Sequence, residues 1–167
     1  MTTKNQDIPV YSIGTAARIL GVSVQTLRLY ESEGLIITTK SDGNQRIYSE
    51  SDIERLRCIR KAINEDKISI GGMKQLHGMI PCWDIIKCSS EERSVCPAFS
   101  NHIGGCWTYA HEHSACSKRD CRLCEVYQRS SDCGYIKEQI KNITLVQHEQ
   151  LLKQPLVNNQ DTVGVVL

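Results

Sequence analysis

The chain of 167 residues contains nine cysteines, and eight of them crowd into one stretch: Cys82, Cys88, Cys96, Cys106, Cys116, Cys121, Cys124 and Cys133. Their spacing is C-x5-C-x7-C-x9-C-x9-C-x4-C-x2-C-x8-C. Thiolates at this density bind zinc tetrahedrally or hold iron–sulfur clusters in a reducing compartment, and pair as disulfides in a secreted one. Cys121 and Cys124 are the tightest pair, two sulfurs that reach one ion across a turn. Cys116-x4-Cys121-x2-Cys124 also has the local spacing of plant-type ferredoxins. Both tryptophans follow a cysteine directly, as Cys82-Trp83 and Cys106-Trp107, where an indole shields a metal site and supplies core area. All eight are therefore candidate ligands for zinc or an iron–sulfur cluster. Two closed four-cysteine zinc sites fit the count, and so does one cluster with spare thiols.

The compartment follows from what surrounds these cysteines. Met1 to Pro9 is polar and lacks the apolar core of a signal peptide. No apolar run approaches the ~20 residues that cross a bilayer. A cytoplasmic protein is expected, and with it metal rather than disulfides. Cys58 stands apart in a helical pattern and reads as a packed or surface residue. His102, His111 and His113 read as members of a solvated loop.

The chain is 40% hydrophobic and 23% charged, the balance of a globular protein. It has one Phe, six Tyr and two Trp, too few for one large core. The net charge of +1 excludes a whole-protein basic field as the main attraction for nucleic acid, so DNA binding would have to come from locally placed cations.

The elements able to place such cations lie before residue 80. Ser12 caps a helix from Ile13 to Leu20, with Ala16, Ala17, Ile19 and Leu20 on its apolar face and Gly21 as its stop. Ser23 caps a second from Val24 to Glu33, with Leu27 and Tyr30 inward and Gly34 as its stop. Two short helices joined by Gly21-Val22-Ser23 form the helix-turn-helix pattern. Leu35 to Thr39 reads as a strand, Ser41-Asp42-Gly43-Asn44 as a turn and Arg46-Ile47-Tyr48 as the returning strand of a wing. Ser49 and Asp52 make a capping box for a third helix bearing Ile53, Leu56, Ile59 and Ile63 on one face. A fourth helix runs from about Ile70 to His77.

The second helix carries Gln25, Thr26 and Arg28 on its N-terminal half, the hydrogen-bonding groups that a helix in the major groove uses on base edges. Arg18 on the first helix, with Lys40 and Arg46 on the wing, can reach flanking phosphates. Ordinary solvated cations on a small helical domain would look the same by spacing alone.

The ordered run Tyr11-Ser12-Ile13-Gly14-Thr15-Ala16-Ala17, Gly21-Val22-Ser23, Thr26-Leu27-Arg28-Leu29-Tyr30-Glu31, Glu33-Gly34-Leu35-Ile36 and Arg46-Ile47-Tyr48 resembles the MerR family of bacterial transcription regulators, nearest its heat-shock repressor (HspR) branch. The resemblance covers residues 10–77. It implies a winged helix-turn-helix on double-stranded promoter DNA, with Gln25, Thr26 and Arg28 facing the groove and Arg46 clamping phosphate. Tyr30 and Tyr48 would contact phosphate or pack the junction of helix and wing. It also implies a homodimer and contact with RNA polymerase, in activation or repression. Thr38 stands where a proline is usual and Lys40 where an arginine is usual. The long dimer helix of the family is replaced after the fourth helix by Pro81-Cys82-Trp83.

The second half is similar to two-CW modules of bacterial signalling proteins, in Cys82-Trp83, Cys88, Cys96-Pro97-Ala98, Cys106-Trp107, Cys116 and Cys121-x2-Cys124-x2-Tyr127. Cys133 falls outside that pattern. Its apolar complement is thin: Ile85, Ile86, Val95, Phe99, Ile103, Tyr109, Leu123, Val126 and Tyr127. A metal staple would compensate.

The expected fold is mainly α. A flexible N-terminus (1–9) precedes a winged helix-turn-helix (10–79), a loop-rich, metal-stapled cysteine module (80–133), a C-terminal helix (134–153) and a tail (154–167). The expected function is DNA-binding transcription regulation with metal or redox sensing, not enzymatic. The alternatives are a thiol–disulfide redox protein using Cys121 and Cys124, and a DNA-associated adaptor with a purely structural zinc module.

Overall fold

In the computed structural model, residues 6–101, 103–112 and 114–132 are described, with Tyr135, Lys137, Glu138, Lys141, Asn142, Thr144 and Leu145. Those last seven have helical backbone. The rest of the expected 134–153 helix, the 154–167 tail, His102, His113 and Cys133 lie outside the described residues.

The fold is mainly helical with one small antiparallel sheet. In chain order come β1 (Tyr11–Ser12), α1 (Ile13–Leu20), α2 (Val24–Ser32), β2 (Thr39–Lys40), β3 (Arg46–Tyr48), α3 (Glu50–Asn64) and α4 (Ile70–Gly78). Short pieces follow: α5 (Cys82–Ile85), α6 (Ser90–Ser94), α7 (Pro97–Ser100), the 3-10 turns Cys106–Thr108 and Cys121–Leu123, and α8 (Glu125–Arg129). Among the described residues no helix is long and apolar enough to cross a membrane.

Serine caps start the first four helices. Ser12, Ser23, Ser49 and Ser69 each accept a backbone N–H three residues on, from Thr15, Thr26, Asp52 and Gly72. At Ser49 the Asp52 carboxylate returns to the Ser49 N–H and completes a capping box. Gly21 ends α1 in the left-handed region at φ 62°, and Gly34, at φ 70°, lets Leu35 N–H close onto Tyr30 C=O.

One hydrophobic cluster holds these elements: Ala16, Ala17 and Leu20 of α1, Leu27 and Tyr30 of α2, Leu35, Ile36, Tyr48, then Ile53, Leu56 and Ile59 of α3 and Met73 of α4. Ile19, expected on the buried face of α1, is exposed. An eight-residue helix offers a narrow stripe, and Ala16, Ala17 and Leu20 fill it.

The wing differs from expectation in two ways. Its sheet has a third strand, in the order β1-β3-β2, with Tyr11 opposite Tyr48 and Thr39 opposite Ile47. And the expected strand over Leu35–Thr39 is reduced to Thr39–Lys40. Leu35 and Ile36 are core residues in a non-strand connector. The backbone of Ile37 bonds to side chains instead of to a strand, its N–H to the Tyr127 hydroxyl and its C=O to Arg122, each at 2.9 Å.

From residue 80 on, the buried apolar residues among those described are Ile80, Ala98, Val126 and Tyr127. Val95, Phe99, Ile103 and Leu123, expected to build a local core, are exposed.

Candidate functional site

Two groups of side chains could do chemistry, the cations around α2 and the thiols past residue 80. On α2 the Ser23 cap fixes the first turn, and Gln25 and Arg28 then project from the exposed face. Thr26 is half-buried, its hydroxyl 2.9 Å from Ser23 Oγ, so it braces the cap as well as facing outward. Arg18 and Lys40 are exposed.

Arg46 is placed differently from a free wing cation. Its Nε pairs with Glu31 of α2, whose other carboxylate oxygen accepts from the Thr38 hydroxyl at 2.5 Å. Glu31 thus ties helix, connector and wing together, a role for which the sequence carried no signal beyond its place in the family run. Tyr30 and Tyr48 are buried and pack the junction. The Tyr48 hydroxyl has no hydrogen-bond partner among the described residues. Burial, then the Glu31 charge, pushes its pKa up to about 12, while Arg46 and Arg28 pull the other way.

The thiols converge. Cys106, Cys116, Cys121 and Cys124 line one small void together with His111, Trp107, Val126 and Tyr127. Cys106 hydrogen-bonds Cys82. That bond and burial push the Cys106 thiol up, and the same bond draws Cys82 down. Burial, then the thiolates of Cys88 and Cys124, pushes Cys116 up to about 11. Burial also raises Cys88 and Cys121.

His111 is not the solvated loop residue expected. It is half-buried, with Nε2 2.7 Å from Cys106 O and Nδ1 3.7 Å from Cys96 Sγ. The carbonyl accepts from Nε2–H, which leaves the Nδ1 lone pair toward the Cys96 thiol. Cys58 is exposed, as its position outside the cluster implied.

The donors fit a thiophilic metal in kind. Among the described residues no three His, Cys, Asp or Glu side chains stand at the spacing that holds an ion. The eight described cysteines are free thiols.

The sequence profile described as "MerR HTH family regulatory protein" matches residues 11–77. Residues 11–77 are a MerR-type helix-turn-helix domain. The relatives agree. "Putative heat shock protein HspR" of Streptomyces coelicolor is 38% identical over 71 residues, covering 42% of this chain and 47% of that protein. "HTH-type transcriptional regulator ZntR homolog" of Haemophilus influenzae is 43% identical over 65 residues, 38% of this chain and 47% of that protein. "Mercuric resistance operon regulatory protein" of Pseudomonas fluorescens is 38% identical over 52 residues, 30% of this chain and 36% of that protein. The chain thus spans about half the length, or less, of these three relatives.

The cysteine-bearing segment lies outside the profile match and docks onto the MerR-type domain through polar and aromatic contacts. Trp107 wedges between His77 of α4 and Tyr127 of α8, at centroid distances of 5.0 and 5.1 Å. Its indole N–H donates to Gly34 O at 2.8 Å. Arg55 of α3 stacks 4.0 Å over the Tyr127 ring and donates to Ser130 Oγ and Gln128 O. Arg122, between Cys121 and Cys124, reaches Ile37 O and Asp52. Of these residues, Trp107 and Tyr127 carry a sequence signal, as apolar side chains close to cysteines. A charged residue inside the C-x2-C turn was the one hint for Arg122.

Proposed function

We propose that the chain is a sequence-specific, DNA-binding transcription regulator that binds double-stranded promoter DNA as a homodimer. The carrying observation is the face of α2: Gln25 and Arg28 project from a serine-capped helix beside a wing whose Arg46 is pre-positioned by Glu31. Base edges are read by α2, and phosphates are held by Arg18, Lys40 and Arg46. Transcriptional control, by activation or by repression, then involves RNA polymerase at that promoter. The DNA-binding unit spans 10–79 and the cysteine module 80–133.

The test is operator selection from random duplexes followed by titration. Arg28→Ala weakens the selected site about tenfold or more and relaxes base preference, as loss of a bidentate base contact does. Arg46→Ala weakens all sequences alike and lowers the salt slope by about one. Unchanged affinity in both variants removes this assignment.

The cysteine module binds a thiophilic metal through thiols drawn from Cys82, Cys88, Cys96, Cys106, Cys116, Cys121, Cys124 and Cys133, of which Cys106, Cys116, Cys121 and Cys124 line the void. Zinc would supply a structural cross-link, and an iron–sulfur cluster a redox-active one. The convergence of thiols on one void supports this. Anaerobic purification with elemental analysis and a visible spectrum decides between them, and absence of any metal rejects both.

A further inference from the structure

The segment that joins α2 to the wing is gripped from the cysteine side at three backbone groups. Gly34 O accepts from Trp107 Nε1 at 2.8 Å, Ile37 N–H donates to Tyr127 Oη at 2.9 Å, and Ile37 O accepts from Arg122 Nη1 at 2.9 Å. Next to these, Lys74 pairs with Glu33 at 2.9 Å while its carbonyl accepts from Gly104 N–H at 2.9 Å. The grip is close: a Cβ added at Gly34 would stand 2.5 Å from the Thr108 methyl.

Each gripping residue is tied to a thiol. Trp107 follows Cys106 in the 3-10 turn Cys106–Thr108. Arg122 follows Cys121 in the turn Cys121–Leu123. Tyr127 sits on α8, whose N-cap is Cys124. At the far end of the connector, Thr38 bonds Glu31, and Glu31 holds Arg46 of the wing. Hydrogen bonds and two short covalent links therefore run without a gap from the cysteine void to the wing cation.

We propose that Trp107, Arg122 and Tyr127 are positioning residues for the DNA interface, and that the thiol cluster sets the pose of the wing relative to α2. The state of the thiols then controls operator affinity through the connector Gly34–Ile37. This rests on the DNA-binding function proposed above. Coupling requires that the two states of the cluster hold the connector differently, and the three donors and acceptors named here are the parts that change. Apolar packing would tolerate a small displacement, whereas a hydrogen bond weakens steeply as its distance and angle depart from ideal.

The experiment uses the full-length chain under reductant, with Zn2+ as the probe against a chelator. Two readouts are taken: amide exchange over residues 33–38, and affinity for the selected operator alongside a non-specific duplex. In the wild type, Zn2+ changes exchange at Ile37 at least tenfold and operator affinity at least tenfold, while the non-specific duplex responds less than twofold. In Trp107→Phe/Tyr127→Phe, which keeps an aromatic ring at each place and removes both hydrogen bonds, the chain stays folded with a lower melting temperature and wild-type zinc stoichiometry. The zinc response of operator affinity falls below twofold. Unchanged exchange over 33–38 in the wild type overturns the proposal, as does a double variant that keeps the full tenfold response. If no duplex binds in either state, the DNA-binding function fails, and the exchange measurement still decides whether the cluster controls the connector.

Discussion

Arg122 donates to Asp52 Oδ2 at 2.9 Å, and the same oxygen accepts the Ser49 N–H at 2.9 Å. The carboxylate that closes the capping box of α3 is therefore also the anchor of the cysteine module. Asp52 is almost wholly buried, and the Arg122 side chain is 17% exposed. A charge pair this dry depends on both members.

Arg122→Ala accordingly leaves Asp52 buried beside a single backbone donor. The variant unfolds in urea with a free energy lower by about 3–5 kcal/mol, the cost of stranding a buried charge. Asp52→Asn with Arg122→Met, which removes both charges, recovers most of that loss. If Arg122→Ala changes stability by less than about 1 kcal/mol, the pair is solvent-screened and does not anchor the module.

His77 makes stability depend on pH. It is 4% exposed and packs against Trp107. Burial, then the Arg55 charge, pulls its pKa from 6.5 down to about 4. The unfolded chain takes up a proton below pH 6.5 that the folded chain refuses until about pH 4, so stability is full above 6.5 and falls across that window. The loss reaches about 3 kcal/mol by pH 4. His77→Phe keeps a ring against Trp107 and lacks this loss. The difference between the two unfolding free energies, plotted from pH 7 to 4, shows it as a slope; a flat difference refutes the assignment.

Glu31 holds the wing arginine at the price of a negative charge near the DNA face. Glu31→Gln removes the charge and loosens Arg46. Non-specific duplex affinity rises about threefold at low salt, from the lost repulsion. Operator affinity falls, because Arg46 is no longer pre-positioned, so the specificity ratio drops. Fluorescence anisotropy across a KCl series reads both. A ratio that rises instead would show that Glu31 masks Arg46 rather than aims it.

Tyr48 has a buried hydroxyl with no partner among the described residues. Tyr48→Phe removes a desolvated polar group without opening a cavity. It leaves stability unchanged or raises it by about 1 kcal/mol. A loss above about 1 kcal/mol in thermal unfolding would reveal a hydrogen bond to that hydroxyl.

What was legible in the sequence was local. Ser12, Ser23 and Ser49 announced helix starts because a cap is a contract between residues three apart, and Gly21 and Gly34 announced stops through backbone freedom. The β-branched run within Leu35–Thr39 misleads. Those β-branched residues look like a strand, yet Ile37 finds its partners on Arg122 and Tyr127, 85 and 90 positions away. No short-range pattern reports such a pairing. His111 reads as a loop residue for the same reason: its environment is made by Cys96 and Cys106, which spacing alone does not bring together. Arg46 was recognised as a wing cation, but its tether to Glu31 depends on the approach of α2 to β3. The thiols were recognisable as a group from their density, while their common void required the fold.

The hydrophobic cluster draws only on residues between Tyr11 and Met73, and this orders events during synthesis. A small helical unit with its own core folds in microseconds to milliseconds. The residues that grip its connector emerge from the ribosome up to 90 positions later, roughly 5–20 s at ordinary elongation rates. Every newly made molecule therefore passes through an interval in which α2 and the wing are built and the clamp is not. Docking of the second half, and any loading of its thiols, follows the folding of the first.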